Sequence, residues 1–244
     1  MVAGTELREN ERDTSVITQA HFDASLFRFL RELAKHNDKH WFEQNRARYE
    51  SEVRGPLLRF IADFGEPLAR ISRHYLADPR PMGGSMFRIH RDTRFAKDKT
   101  PYKTHAAAQF RHEAGKDVHA PGFYLHLEPG EIFVAAGLWH PDPAALGRIR
   151  AAILRQPDRW KRAAHGKAFS AKWELSGESL QRPPKGVAAD HPWVEDLRRK
   201  DFIAWLPFDE KQACRAGFLE RVAGAYAECA PFMRFLTTAL ELPW

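Results

Sequence analysis

The sequence predicts an α+β fold, with helices packed on one mainly antiparallel β-sheet and with helical N-terminal and C-terminal thirds. Three observations carry this. Apolar residues recur at helical spacing from Phe22 to Ile71 and again after Pro141. Between these stretches lie short apolar runs punctuated by turn residues, above all Phe123–Leu127 and Ile132–Ala136 around Pro129 and Gly130. With 43% hydrophobic and 12% aromatic residues over 244 positions, the chain can bury a sizeable core.

Taken in order, Met1 to about Thr18 is polar and charged and reads as a disordered extension, neither signal peptide nor membrane span. One globular domain is expected over 19–244. Phe22, Leu26, Phe29, Leu30 and Leu33 mark a helix ending near Lys35, and Asn37-Asp38 supplies a stop and a new N-cap before Trp41, Phe42, Asn45 and Tyr49. Pro56 suits a first helical turn, and Leu57, Ile61, Phe64, Leu68 and Ile71 mark the third helix. Met86–His90, Ala106–Arg111 and Phe202–Leu206 are further strand candidates. Helical spacing returns at Leu146–Leu154 and near Trp160, then in two C-terminal helices split at Pro231. Cys214 and Cys229 form no disulfide framework and read as reduced thiols of a cytoplasmic protein.

The segment from Phe87 to His105 concentrates the charge. Arg88, Arg91, Arg94, Lys97, Lys99 and Lys103 stand against Asp92 and Asp98, a net +4 of the chain's +6. Guanidinium forks with ammonium groups are the chemistry that holds phosphate or carboxylate. The assigned ligand set is Arg88, Arg94, Lys97, Lys99, Tyr102 and Lys103, joined by Arg182 and Lys185 of the rigid Arg182-Pro-Pro-Lys-Gly186 turn. Strand alternation places Arg91 with Phe87 and Ile89, so Arg91 and Asp92 are assigned to a structural ion pair. Asp92 and Tyr102 are the catalytic candidates, although a carboxylate among arginines is a poor base. Glu43 is the best carboxylate for pairing across to this segment.

Three function classes stay open. The first is a pocket for a phosphorylated or carboxylated small molecule, with or without a reaction on it. The second is a nucleic-acid accessory protein, which needs cations spread along a face with exposed aromatics. The third is a module whose basic segment only fixes its own fold. There is no P-loop, nucleophile elbow or membrane-spanning run. No metal and no cofactor are expected: His36 and His40 flank a helix boundary, while His112, Glu113, His119, His126 and His140 show no ligand spacing.

The run Arg88-Ile-His-Arg-Asp-Thr-Arg-Phe-Ala-Lys-Asp-Lys-Thr-Pro-Tyr-Lys103 resembles the signature of the bacterial conserved-hypothetical family known as domain of unknown function 2461. Trp41-Phe-Glu-Gln-Asn-Arg46 with Tyr49, Arg182–Gly186, Asp190-His-Pro192 and Lys200-Asp-Phe202 extend the resemblance over roughly 20–240. It implies a fold envelope and a motif map, with no activity attached. Ala96 stands where serine is usual and His90 where tyrosine or asparagine is often seen, and Ala96 argues against a serine nucleophile.

Overall fold

The computed structural model describes residues 20–115 and 120–244. The extension expected before residue 19 lies outside them, as does His119. Six strands form one antiparallel sheet in the order β1-β2-β3-β4-β6-β5, comprising β1 (Tyr75–Leu76), β2 (Ala106–His112), β3 (Gly122–Glu128), β4 (Glu131–Leu138), β5 (Glu174–Ser176) and β6 (Phe202–Phe208). Helices precede and follow it, and the α+β class holds.

The expected hairpin is present. Phe123 pairs with Ala136 and Leu127 with Ile132, and the two-residue turn uses Pro129 followed by Gly130 at φ 85°. Only glycine takes that positive φ without strain. The short β1 and β5, without the length or apolar run that marks a strand, were not foreseen. Met86–His90, expected as a strand, makes isolated bridges instead, Met86 to Ala108 and His90 to Tyr102.

The helical N-terminal third comprises α1 (Ala24–Lys35), α2 (Lys39–Gln44), α3 (Arg46–Arg48), a π-helical stretch (Tyr49–Arg54), α4 (Gly55–Asp63) and α5 (Gly65–Ile71). Asp38 caps α2 through the Trp41 N–H at 2.9 Å, as the N-cap signal required, and Asp23 caps α1 one residue inside the expected start. The third predicted helix is divided after Asp63.

After β4 come α6 (Pro143–Arg155), α7 (Pro157–Ala164) and α8 (Lys167–Ser170), then α9 (Val194–Arg198), α10 (Glu210–Ala213) and α11 (Phe218–Ala239). The break expected at Pro231 does not occur, because α11 runs through it. Cys229, Phe232, Met233 and Phe235 are buried on either side, and that burial offsets the backbone bond proline removes.

The core lies between the sheet and α1, α4, α5 and α11. Phe110, Phe123, Leu125, Leu127, Val134 and Phe202 point into it and are fully enclosed. Each contributes about 1.5–3 kcal/mol by leaving water. The Tyr226 hydroxyl on α11 donates to the Tyr124 carbonyl at 2.8 Å, so a buried polar group is satisfied where helix meets sheet.

Candidate functional site

Alternation along the strands puts a second set of residues on the opposite face. Gln109, Tyr124, Ala135 and Trp205 lie side by side across four strands, with Ala107, His126, Phe133 and Pro207 in the next row. This face is half-exposed and is crossed by the Phe87–His105 segment, whose Phe87 ring meets Tyr124 edge-on at 6.0 Å. A groove of about 430 Å³ lies here, walled by Phe87, Tyr124, Phe133, Trp139 and Ile203. Gly137 belongs to its floor at φ 138°, and a Cβ there would stand 1.9 Å from the Phe202 carbonyl oxygen.

The basic segment is anchored at several points. The Asn37 amide donates to the Tyr102 carbonyl and accepts the Tyr102 N–H, each at 3.0 Å, tying the segment to the α1–α2 turn. Tyr102 is only 3% exposed and stacks on Phe42 at 4.1 Å. Burial raises its hydroxyl pKa, with Glu43 adding to the effect. Tyr102 is therefore chiefly a core residue. Glu43 does not reach across to the segment's cations. It pairs with Arg46 of the next turn at 2.6 Å.

The cations divide differently from the sequence expectation. Arg91 does not pair with Asp92. Its guanidinium donates to Asp98 at 2.5 Å and to Thr100, stapling the loop seven residues on. Asp92 instead accepts from Arg94 at 2.7 Å, two residues away and out in solvent. The Thr100 N–H and then Arg91 hold Asp98 down at about 2, while Arg94 holds Asp92 at about 2. Neither carboxylate is a base near neutral pH. Lys99 donates to the Thr93 carbonyl and Lys103 to the Arg88 carbonyl, at 2.8 and 2.9 Å.

A second cavity, of about 290 Å³, is lined by Arg91, Asp98, Thr100, Lys103, Thr104 and His105, and an edge of Tyr102 reaches it. Of the cations assigned to ligand binding, Lys103 borders this cleft, while Arg88, Arg94, Lys97 and Lys99 do not line it. The Lys103 ammonium also lies over the Phe87 ring at 5.2 Å, and that ring walls the groove. Burial, with Arg88 nearby, lowers its pKa. Arg182 and Lys185 are elsewhere. Their turn lies between β5 and α9, and Gln181 just before it is held by Arg198. Neither Arg182 nor Lys185 lines the groove or the cleft.

Beside Lys103 the structure assembles a group that spacing along the chain did not disclose. His105 and His126 have ring centroids 4.4 Å apart, and His126 Nε2 lies 3.2 Å from Glu128 Oε2. The Tyr124 hydroxyl meets His126 Nδ1 at 2.9 Å, and the Thr104 hydroxyl donates to Glu128 Oε1. Burial, then the neighbouring His126, pulls His105 down to about 4, so it is neutral at pH 7. Burial resists ionisation of Glu128, yet the bonds from Thr104 and His126 outweigh it and lower its pKa. Burial pushes Tyr124 up to about 12. The signal was present in Tyr124, His126 and Glu128, three polar residues alternating with Phe123, Leu125 and Leu127. The chain separation of His105 hid the rest.

Fold and site define an α+β protein with an aromatic groove on one face of an antiparallel sheet and a separate polar cleft in the basic segment that leads into β2. The chain belongs to domain of unknown function 2461: the family model described as "Conserved hypothetical protein (DUF2461)" matches residues 25–235. No curated protein and no solved structure matches it. Among the described residues, no helix is long and apolar enough to cross a membrane.

Proposed function

We propose that the protein binds a small phosphorylated or carboxylated molecule, its anionic end at Lys103 and its flat or apolar body along the groove between Phe87, Tyr124, Phe133 and Trp139. The observation that carries this is the position of the Lys103 ammonium, partly desolvated, at the polar cleft and over the Phe87 ring that walls the aromatic groove. A cation with reduced hydration is a stronger anion partner than one in bulk water. The Arg91 guanidinium, which also lines the cleft, adds a second cation there. A nucleotide or an aromatic carboxylate has the required combination of charge and ring.

The test is a thermal-shift screen of nucleotides, sugar phosphates and aromatic carboxylates. A ligand at 100 times its dissociation constant adds about 2.7 kcal/mol to stability. Lys103→Met should abolish the response and Lys97→Met should leave it intact. A response that survives Lys103→Met removes this reading.

One observation favours a second reading, nucleic-acid contact at the loop tip. Phe95 is 95% exposed, with the Arg94 guanidinium 5.9 Å from its ring centroid. An exposed aromatic among cations offers stacking to a base. Single-stranded oligonucleotide affinity that falls steeply with salt and is lost in Phe95→Ala, yet kept in Lys103→Met, would select it.

A further inference from the structure

We infer that His105, His126 and Glu128 form a binding site for one divalent transition-metal ion, of the zinc or iron(II) class. Their ligand atoms all lie within 4.8 Å of one another, close enough for one ion to bridge after small side-chain adjustments. Two imidazoles and one carboxylate are a donor set that zinc and non-haem iron(II) accept, with positions left over for water or ligand.

The surroundings supply a second, independent argument. Metal-bound histidine is ordinarily oriented by a partner at its other ring nitrogen, and metal-bound carboxylates by a hydrogen bond to the second oxygen. Both partners are in place. The Tyr124 hydroxyl is 2.9 Å from His126 Nδ1, while Nε2 faces Glu128. The Thr104 hydroxyl holds Glu128 Oε1 and leaves Oε2 toward the histidines. With Nε2 given to the ion, the ring proton would sit on Nδ1 and donate to the Tyr124 oxygen. His126 also stacks on Phe133 at 4.7 Å, which restricts its rotation.

The expectation of no metal rested on ligand spacing along the chain. Here the ligands come from the residue preceding β2 and from two alternate positions of β3, which strand pairing brings together. His105 also lines the Lys103 cleft, so open positions on the ion would face the cavity. The metal site stands independently of the anion reading.

The experiment uses the full chain, stripped with a chelator and titrated with zinc by calorimetry in buffer without phosphate or other added anions. The expected result is one saturable equivalent. Glu128→Gln and His126→Gln should each weaken it by more than ~100-fold, and Tyr124→Phe by ~10-fold. His40→Gln, on the exposed α2 surface, should match the parent. Far-ultraviolet circular dichroism checks each fold, and the near-isosteric Glu128→Gln decides the matter if His126→Gln misfolds. Cobalt(II) in place of zinc should give visible d–d absorption that Glu128→Gln removes. Absence of a saturable equivalent, or equal affinity in parent and Glu128→Gln, overturns the site. Because no anion is present, either outcome leaves the Lys103 test unaffected.

Discussion

Along β3, Phe123, Leu125 and Leu127 face the helices, while Tyr124, His126 and Glu128 lie on the opposite face, where Tyr124 lines the groove. The strand is the same and only parity differs. On the helix side every position is apolar and enclosed, so sequence there is set by packing. On the opposite side His126 is buried and Tyr124 and Glu128 are partly exposed, all three joined by organised hydrogen bonds, an expensive arrangement for a face that only packs. The contrast separates a face whose residues are set by packing from one that carries an organised polar group.

The sharpest test of this division sets Phe123→Ala against Tyr124→Phe. The first opens a cavity in a fully enclosed site and should cost about 3–5 kcal/mol in denaturant unfolding. The second removes one hydroxyl from a partly exposed position and should cost about 1 kcal/mol or less. Equal costs would mean that both faces are structural.

Gly137 is where the two faces conflict. Gly137→Ala forces a side chain at φ 138° against the Phe202 carbonyl oxygen. Backbone strain alone should cost about 1–3 kcal/mol. Because this residue also floors the groove, ligand response should fall as well. A variant with unchanged unfolding would show that β4 and β6 can separate locally.

Titration of His105 gives a smaller, signed effect. Its pKa is about 4 when folded, against an ordinary value of 6.5. Above pH 6.5 the folded and unfolded histidine are both neutral, and this contribution to stability is fully retained. As pH falls from 6.5 toward 4 the unfolded chain takes up the proton and the folded one does not, so stability is lost. In chelator, the unfolding midpoint of the parent should fall over this window more than that of His105→Gln. Parallel profiles would show that His105 is solvated.

How much of this the sequence disclosed depends on the range of the interaction. The hairpin around Gly130, the cap at Asp38 and the body of the first helix follow from spacing within a few residues. The continuity of α11 through Pro231 did not, because buried neighbours from other elements outweigh a local breaker. The basic segment was conspicuous in composition, but composition does not assign partners. Only the folded loop shows that Arg91 takes Asp98 and Arg94 takes Asp92. The His105–His126–Glu128 group was the least legible, since strand register, not chain distance, creates it.

The smallest effects return to the two arginines that the sequence treated as opposites. A loss of about 3–5 kcal/mol on Arg91→Ala presupposes a carboxylate stranded in a buried site. Asp98 is exposed, so the cost should instead be about 1 kcal/mol, from the lost staple to Asp98 and Thr100. Arg94→Ala should leave the thermal midpoint unchanged within measurement, since its pair with Asp92 lies in solvent, where water replaces it. Measured side by side, the two substitutions ask whether the loop is held from its base or its tip. A larger loss for Arg94→Ala would place the anchor at the tip. In that case the Lys103 cleft would depend on Asp92–Arg94 for its shape, and the structural reading of the basic segment would extend to its whole length.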